Sequence, residues 1–269
     1  MPKILIIGDI MGRPGRHALA QVLPMWKEEL GFDPKTDVLI GNVENLAHGR
    51  GITPNTIAEM DALGFDAYTS GNHIFDTGPH AEACFDTHHN ILRPQNYNGN
   101  FLGEGHYRFA KDGQQFLLFN LSGRVFMDPQ EKFNISNAFF AFDELFKAQA
   151  QKDDIIIVDF HAEATGEKVG LGWYADGRAT VVYGTHTHVM TADERILPKG
   201  TALLTDVGMT GAKDSIIGIT PEAALAWHLD GKLQTDFPES GPATVCALLV
   251  ETEGTKVIKV QRLIKEVEV

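Results

Sequence analysis

The sequence predicts an α/β protein whose sheet is at least partly parallel, and three observations predict it. Short β-branched runs alternate with helical patterns through the first third of the chain, as βαβ units do. Beyond residue 100, paired runs flank Gly-bearing turns, so hairpins join the parallel strands and the arrangement becomes mixed. Of 269 residues, 43% are hydrophobic. No Pro/Ser/Gly-rich or charged linker interrupts them, so the expectation is one domain over 1–269 with a sizeable core.

The first expected strand, Lys3–Gly8, is an apolar run that leads to a helix over Arg16–Leu30, with Gly31 where a C-terminal cap belongs. A strand over Asp37–Gly41 follows. The helix Thr53–Leu63 opens on Thr53-Pro54, a cap followed by Pro at the first helical position, and Gly64 closes it. Asp66–Ser70 is the third strand. Two hairpins come next: Tyr107–Ala110 with Gln115–Asn120 around Lys111-Asp112-Gly113, and Ala247–Glu251 with Val257–Val260 around Glu253-Gly254. Between them lie a helix over Ser136–Ala150, a strongly apolar strand Asp154–Asp159, a strand Thr180–Tyr183 and a helix over Pro221–Leu229. The chain has no internal repeat and no low-complexity segment.

Asp and Glu number 36 against 23 Lys and Arg, a formal charge of −13. A surface that wraps long nucleic acid needs the opposite excess, so that class is excluded. A small anionic substrate is compatible if bound metal supplies local positive charge. Cys84 and Cys246 are far apart and outside any C-x-x-C spacing, which argues against a disulfide framework or a thiolate zinc site and for a reducing compartment. No stretch has the length of a signal core or a membrane span, so a cytoplasmic protein without a membrane partner is expected. Self-association is left open.

The chemistry-bearing residues sit at the ends of the expected strands, where ligands gather in α/β proteins. Asp9 ends the first strand and reads either as a metal ligand or as a cap for the next helix. Glu44 and Asn45 follow the second, and read as a bridging carboxylate with an adjacent amide oxygen or as an Asx-type turn beside a solvated Glu. Asn72 and His73 follow the third; His73 reads as an acid/base group or as a structural histidine, and Asp76 stands where it could orient the ring. His161 ends the strand of the central region, with Glu163 just beyond. His186 and His188 are spaced i, i+2, which in extended chain places both rings on one side. Arg50, in a Gly-rich stretch, and Arg124 are candidate phosphate contacts, each with surface solvation as the alternative. Asp, Glu-Asn, Asn-His, His and His-x-His from five strand ends in chain order are enough N and O ligands for two metals that share a carboxylate.

These blocks resemble the calcineurin-like metallophosphoesterase superfamily. Within it, Gly8-Asp9-Ile10-Met11-Gly12-Arg13-Pro14-Gly15-Arg16, Asn42-Val43-Glu44-Asn45, Gly71-Asn72-His73 and Gly184-Thr185-His186-Thr187-His188 resemble the bacterial YmdB-type group over essentially the whole chain. Met11 stands where the wider superfamily has a His, and Glu44 where it has a bridging Asp. The resemblance implies two mixed β-sheets packed as a four-layer sandwich flanked by helices. It implies that Asp9, Glu44, Asn45 and His188 hold one metal, that Glu44 bridges to a second completed by Asn72, His161 and His186, and that His73 is the general acid. It also implies two divalent or trivalent ions, iron with manganese as the alternative, and hydrolysis of small phosphodiesters, notably 2′,3′-cyclic nucleotides; attack by a hydroxide held between the metals is the mechanism expected of such a site. A phosphomonoesterase or a nucleotide-sensing regulator on the same scaffold are the rival readings.

Overall fold

The computed structural model describes residues 1–127, 133–232 and 235–269. Its elements run β1 (Lys3–Ile10), α1 (Gly12–Glu29), β2 (Val38–Asn42), α2 (Pro54–Asp61), β3 (Ala67–Thr69), α3 (Pro79–Thr87), β4 (His106–Lys111), β5 (Gln114–Ser122), α4 (Ala138–Gln149), β6 (Ile155–His161) and α5 (Thr165–Ala175). They continue with β7 (Val181–Thr185), β8 (Arg195–Ile196), β9 (Ala202–Leu204), β10 (Met209–Ala212), α6 (Pro221–Asp230), β11 (Pro242–Glu253) and β12 (Lys256–Glu268). One sheet has the order β12-β11-β10-β1-β2-β3, the other β4-β5-β6-β7-β9-β8. In the first, β1 is parallel to β2 and β10 and antiparallel to β11. In the second, β5, β6, β7 and β9 are parallel, and β4 and β8 are antiparallel edges.

Side chains alternate between faces of a strand, which sorts each apolar run into two cores. Ile4 and Ile6 of β1, Val38 and Ile40 of β2, Phe116 and Leu118 of β5, Ile155 and Ile157 of β6, and Val181 of β7 meet between the sheets. Leu5 and Ile7 face outward to α1 and its neighbours, and Leu117, Phe119, Ile156 and Val158 face α4 and α5. Both faces of each central strand are therefore dry. That is why these segments read as continuous apolar runs rather than as alternating patterns, and it gives the four layers that the resemblance implied.

The expected elements are present, with longer ends in places. α1 starts at Gly12 rather than Arg16, and the last hairpin extends through β11 and β12 well beyond the expected runs. α2 opens as expected: Thr53 and Thr56 form a reciprocal capping box with Pro54 at the helix start. α3, α5 and the short strands β8, β9 and β10 are additions to the sequence reading. Cys84 and Cys246 are both buried and unpaired. Among the described residues no helix is long and apolar enough to cross a membrane.

Candidate metal centre

The layer between the sheets changes character towards the carboxyl ends of the parallel strands. On its inner face β2 passes from Val38 and Ile40 to Asn42, β6 from Ile155 and Ile157 to Asp159 and His161, and β7 from Val181 to Tyr183 and Thr185. Asp9 joins this face through an irregularity. The β1–β2 pairing shifts register between Ile7 and Asp9, so Asp9 pairs with Asn42, and the extra residue turns a side chain that alternation would send outward. Asp9 is not a helix cap: Met11 holds that position on α1, and Asp9 Oδ2 accepts the His186 backbone N–H at 3.1 Å. Glu44 is not solvated either. Its backbone N–H completes an Asx turn with Asn42 Oδ1, and its carboxylate is 1% exposed.

Three imidazoles are tied off on one nitrogen and converge on the other. His161 Nδ1 lies 2.9 Å from Thr185 Oγ1, which donates to Asp159 Oδ1 at 2.8 Å. The hydroxyl proton is thus committed to Asp159, so Nδ1 is the protonated nitrogen and Nε2 the inward one. His186 Nε2 lies 3.1 Å from Glu163 Oε2, which turns its Nδ1 inward, and His188 Nδ1 donates to the Ile217 carbonyl at 2.9 Å, leaving Nε2. Outer partners of this kind set the tautomer of metal-binding histidines.

The inward atoms crowd one another. Around His161 Nε2 stand Asn72 Oδ1 at 3.0 Å, His186 Nδ1 at 3.1 Å and Glu44 Oε1 at 3.2 Å. Glu44, His161 and His186 offer ligand atoms within 4.8 Å of one another. Beside them His188 Nε2 accepts from Asn45 Nδ2 at 3.3 Å and lies 4.0 Å from Asp9 Oδ1, an oxygen that is buried without a hydrogen-bond partner among the described residues. Asn45 presents its amide nitrogen here; the other end of the same amide is the oxygen a cation would need. So many buried acceptors with so few donors is the chemistry of a cation site, and the residues fit one. Without a cation, a proton substitutes: burial alone would lower the His161 pKa, but Glu44 and Asp9 raise it to about 9. Burial, with the charge on His161, pushes His186 down to about 2.

Close approach explains one motif glycine. A Cβ at Gly71 would lie 2.0 Å from His161 Nε2, so only glycine lets β3 pass the ring. Asn72 and His73 then leave the strand in the right place, and the His73 N–H donates to Glu44 Oε2 at 2.9 Å. The His73 ring sits at the mouth, with Nδ1 2.7 Å from Asp76 Oδ2 and Nε2 without a partner among the described residues.

A cleft of about 390 Å³ opens over this cluster, lined in part by Glu44, Asn45, Arg50, His73, His186 and His188. Arg50 is thus on its wall. Arg124 is elsewhere: Glu167 grips its backbone N–H, and the residue lines a separate cavity of about 340 Å³ with Asn137 and Phe139. The sequence reading missed Lys168 and Asp206, a buried ion pair at 2.6 Å. Asp206 also accepts from the Thr187 backbone and hydroxyl and from the Gly208 N–H, so it pins the turn that carries His186 and His188.

The chain matches the model of the YmdB-like protein family over residues 5–263. It belongs to that family. A Bacillus subtilis (strain 168) relative, the 2′,3′-cyclic-nucleotide 2′-phosphodiesterase, is 38% identical, with 97% of this chain and 96% of that protein covered. Among solved structures, a hypothetical protein from Thermus thermophilus is 36% identical with a TM-score of 0.88, covering 98% of this chain and 99% of that one. A phosphatase from Mycoplasma pneumoniae is 31% identical with a TM-score of 0.89, covering 99% of this chain and 93% of that one. The YmdB-like fold and the motif order read from the sequence thus agree.

Proposed function

We propose that this YmdB-like protein, a phosphoric diester hydrolase, opens 2′,3′-cyclic nucleotides at the 2′ oxygen. The observation that carries the reading is the convergence of three oriented imidazoles and two buried carboxylates beside a His73 ring whose Nε2 has no hydrogen-bond partner among the described residues. The B. subtilis relative's named activity supports the substrate class. Asp9, Glu44, Asn45 and His188 would hold one ion, and Asn72, His161 and His186 the other, with Glu44 shared. Such ions supply an acidic water and positive charge for the phosphoryl oxygens.

The chain's own residues carry the remaining steps. The cleft binds the phosphodiester against Arg50, whose guanidinium is exposed on the wall and suits a non-bridging oxygen. Asp76 holds His73 Nδ1 and so points Nε2, as N–H, at the departing group. When water adds to phosphorus and the P–O2′ bond breaks, His73 delivers its proton to O2′. The product is a nucleoside 3′-monophosphate. A regulator that only sensed nucleotides would have no use for this acid.

The test is turnover of 2′,3′-cyclic AMP by manganese- or iron-loaded protein, with products identified and His73→Ala run alongside. A 3′-monophosphate product whose formation collapses in the variant supports the reading. Binding without turnover favours a sensor, and release of inorganic phosphate from monoesters favours a phosphomonoesterase.

A further inference from the structure

Two unlike sets of side chains line the cleft. The polar set includes Glu44, Arg50, His73 and the two histidines His186 and His188, and Met11, Ile217, Ile219 and Phe237 form the apolar one. The apolar set is bound to the polar one, because the carbonyl of Ile217 is what orients His188. Met11, where the wider superfamily has a His, is buried with its thioether against Gly218, its Cε 2.5 Å from where a Cβ there would stand. A corner that could have held an imidazole is thereby filled by an uncharged thioether side chain.

Phe237 is the only phenyl, phenol or indole ring lining this cleft among the described residues. It is half-buried, and it makes no ring–ring contact with a described residue. Its seat is specific. At Gly49, with φ +80°, a Cβ would lie 2.4 Å from Phe237 Cε1 and 2.6 Å from Cζ, so the ring rests directly on backbone that only glycine leaves open. The next residue is Arg50, on the same wall. A planar apolar group is therefore held beside the cation that faces the phosphoryl position.

We propose that Phe237 is the platform on which the substrate's nucleobase stacks, which makes it the residue that selects a nucleotide over a bare phosphodiester. The proposal rests on the cyclic-nucleotide reading above. Every base has a π-face, so stacking recognises bases as a class and discriminates weakly among them. Adenine, guanine, cytosine and uracil substrates should share similar KM values.

The experiment compares 2′,3′-cyclic AMP with ribose 2′,3′-cyclic phosphate, which lacks the base, on the wild type, Phe237→Ala and Phe237→Trp. Calorimetric binding of adenosine 3′-monophosphate and ribose 3-phosphate to the same proteins runs in parallel. Phe237→Ala should raise KM for the cyclic nucleotide about tenfold with kcat held, leave the base-less diester unchanged and weaken adenosine 3′-monophosphate binding alone. Phe237→Trp should restore the preference. Equal losses on both substrates, or no loss on either, would overturn the proposal. Should the wild type turn over neither diester, base-dependent binding that Phe237→Ala removes still supports the platform, and only the catalytic reading fails.

Discussion

Along β6, Ile155 and Ile157 lie fully buried between the two sheets, and the next positions on the same face are Asp159 and His161, equally buried. One end of the strand is closed by its neighbours: Ile155 and Ile157 pack among the apolar side chains of both sheets. The other end is closed by nothing of its own kind. His161 Nε2 meets three further acceptors within 3.0–3.2 Å, and Asp9 Oδ1 has no hydrogen-bond partner among the described residues. Burial stabilises the first end by removing hydrocarbon from water. At the second, burial costs free energy until a cation arrives. The fold uses its amino-terminal half to hold a carboxyl-terminal edge that would not hold itself.

The sharpest way to break the comparison is to cut the same face at two registers. Ile157→Ala should destabilise the protein by about 2–5 kcal/mol, the usual cost of emptying a core position, yet keep the gain in stability that added manganese gives the wild type. His161→Ala should remove the share of that gain that comes from the ion assigned to Asn72, His161 and His186, which for one site at a hundredfold excess over its Kd is about 2.7 kcal/mol. Urea unfolding with and without the ion measures both. An undiminished manganese gain in His161→Ala would show that this imidazole holds no cation.

His73 separates chemistry from binding at the polar end. His73→Ala should retain the manganese gain and lose about 10²- to 10⁴-fold in turnover of 2′,3′-cyclic AMP, the span expected of a positioned general acid. Loss of the stabilisation as well would move His73 from acid to structural support, since its backbone N–H already holds Glu44.

Glu163 tests whether the outer partners matter. It touches His186 Nε2 at 3.1 Å and none of the inward ligand atoms, so Glu163→Ala should weaken manganese binding about 10- to 100-fold, as lost orienting partners do. Glu163→Gln keeps an acceptor for the ring N–H and should recover most of it. Titration of the metal-free protein reads the difference directly.

How much of this was legible beforehand follows the same division. Continuous apolar runs such as Ile155–Val158 announce strands buried on both faces, and a polar residue breaking such a run announces its functional end. Asp9, Glu44, Asn72, His161, His186 and His188 could be found that way. Features that depend on which strands become neighbours could not. The register shift that turns Asp9 inward arises in the β1–β2 pairing. Glu163 and Asp206 act on residues that only the fold brings near, and Arg124 is drawn to another cavity by Glu167. Helix α5 carries Gly166, Gly170 and Gly172, poor helix formers. A Cβ at Gly172 would lie 2.7 Å from Leu203, so close packing on β9 overrides propensity there.

The smallest expected effect lies at the amino end of β6, where a charge is buried and fully answered. Arg108 grips both oxygens of Asp154 at 2.8 and 2.9 Å, and the Gln151 N–H adds a third bond at 2.7 Å. Burial would raise the Asp154 pKa, but these donors outweigh it and hold the carboxyl below its ordinary value. The native state therefore binds this proton more weakly than the unfolded chain does. Stability from the contact is complete above the unfolded pKa of about 3.9 and is lost as pH falls through the native value. Arg108→Met, which keeps the aliphatic stem, should cost about 1–3 kcal/mol at pH 7, and the gap to wild type should narrow at pH 3. Urea midpoints at the two pH values decide it. An unchanged gap would mean that the stem's packing, not the ion pair, secures this end. The manganese gain should be the same in both proteins, because a contact satisfied within the protein has nothing to exchange with an ion at the opposite edge of the sheet.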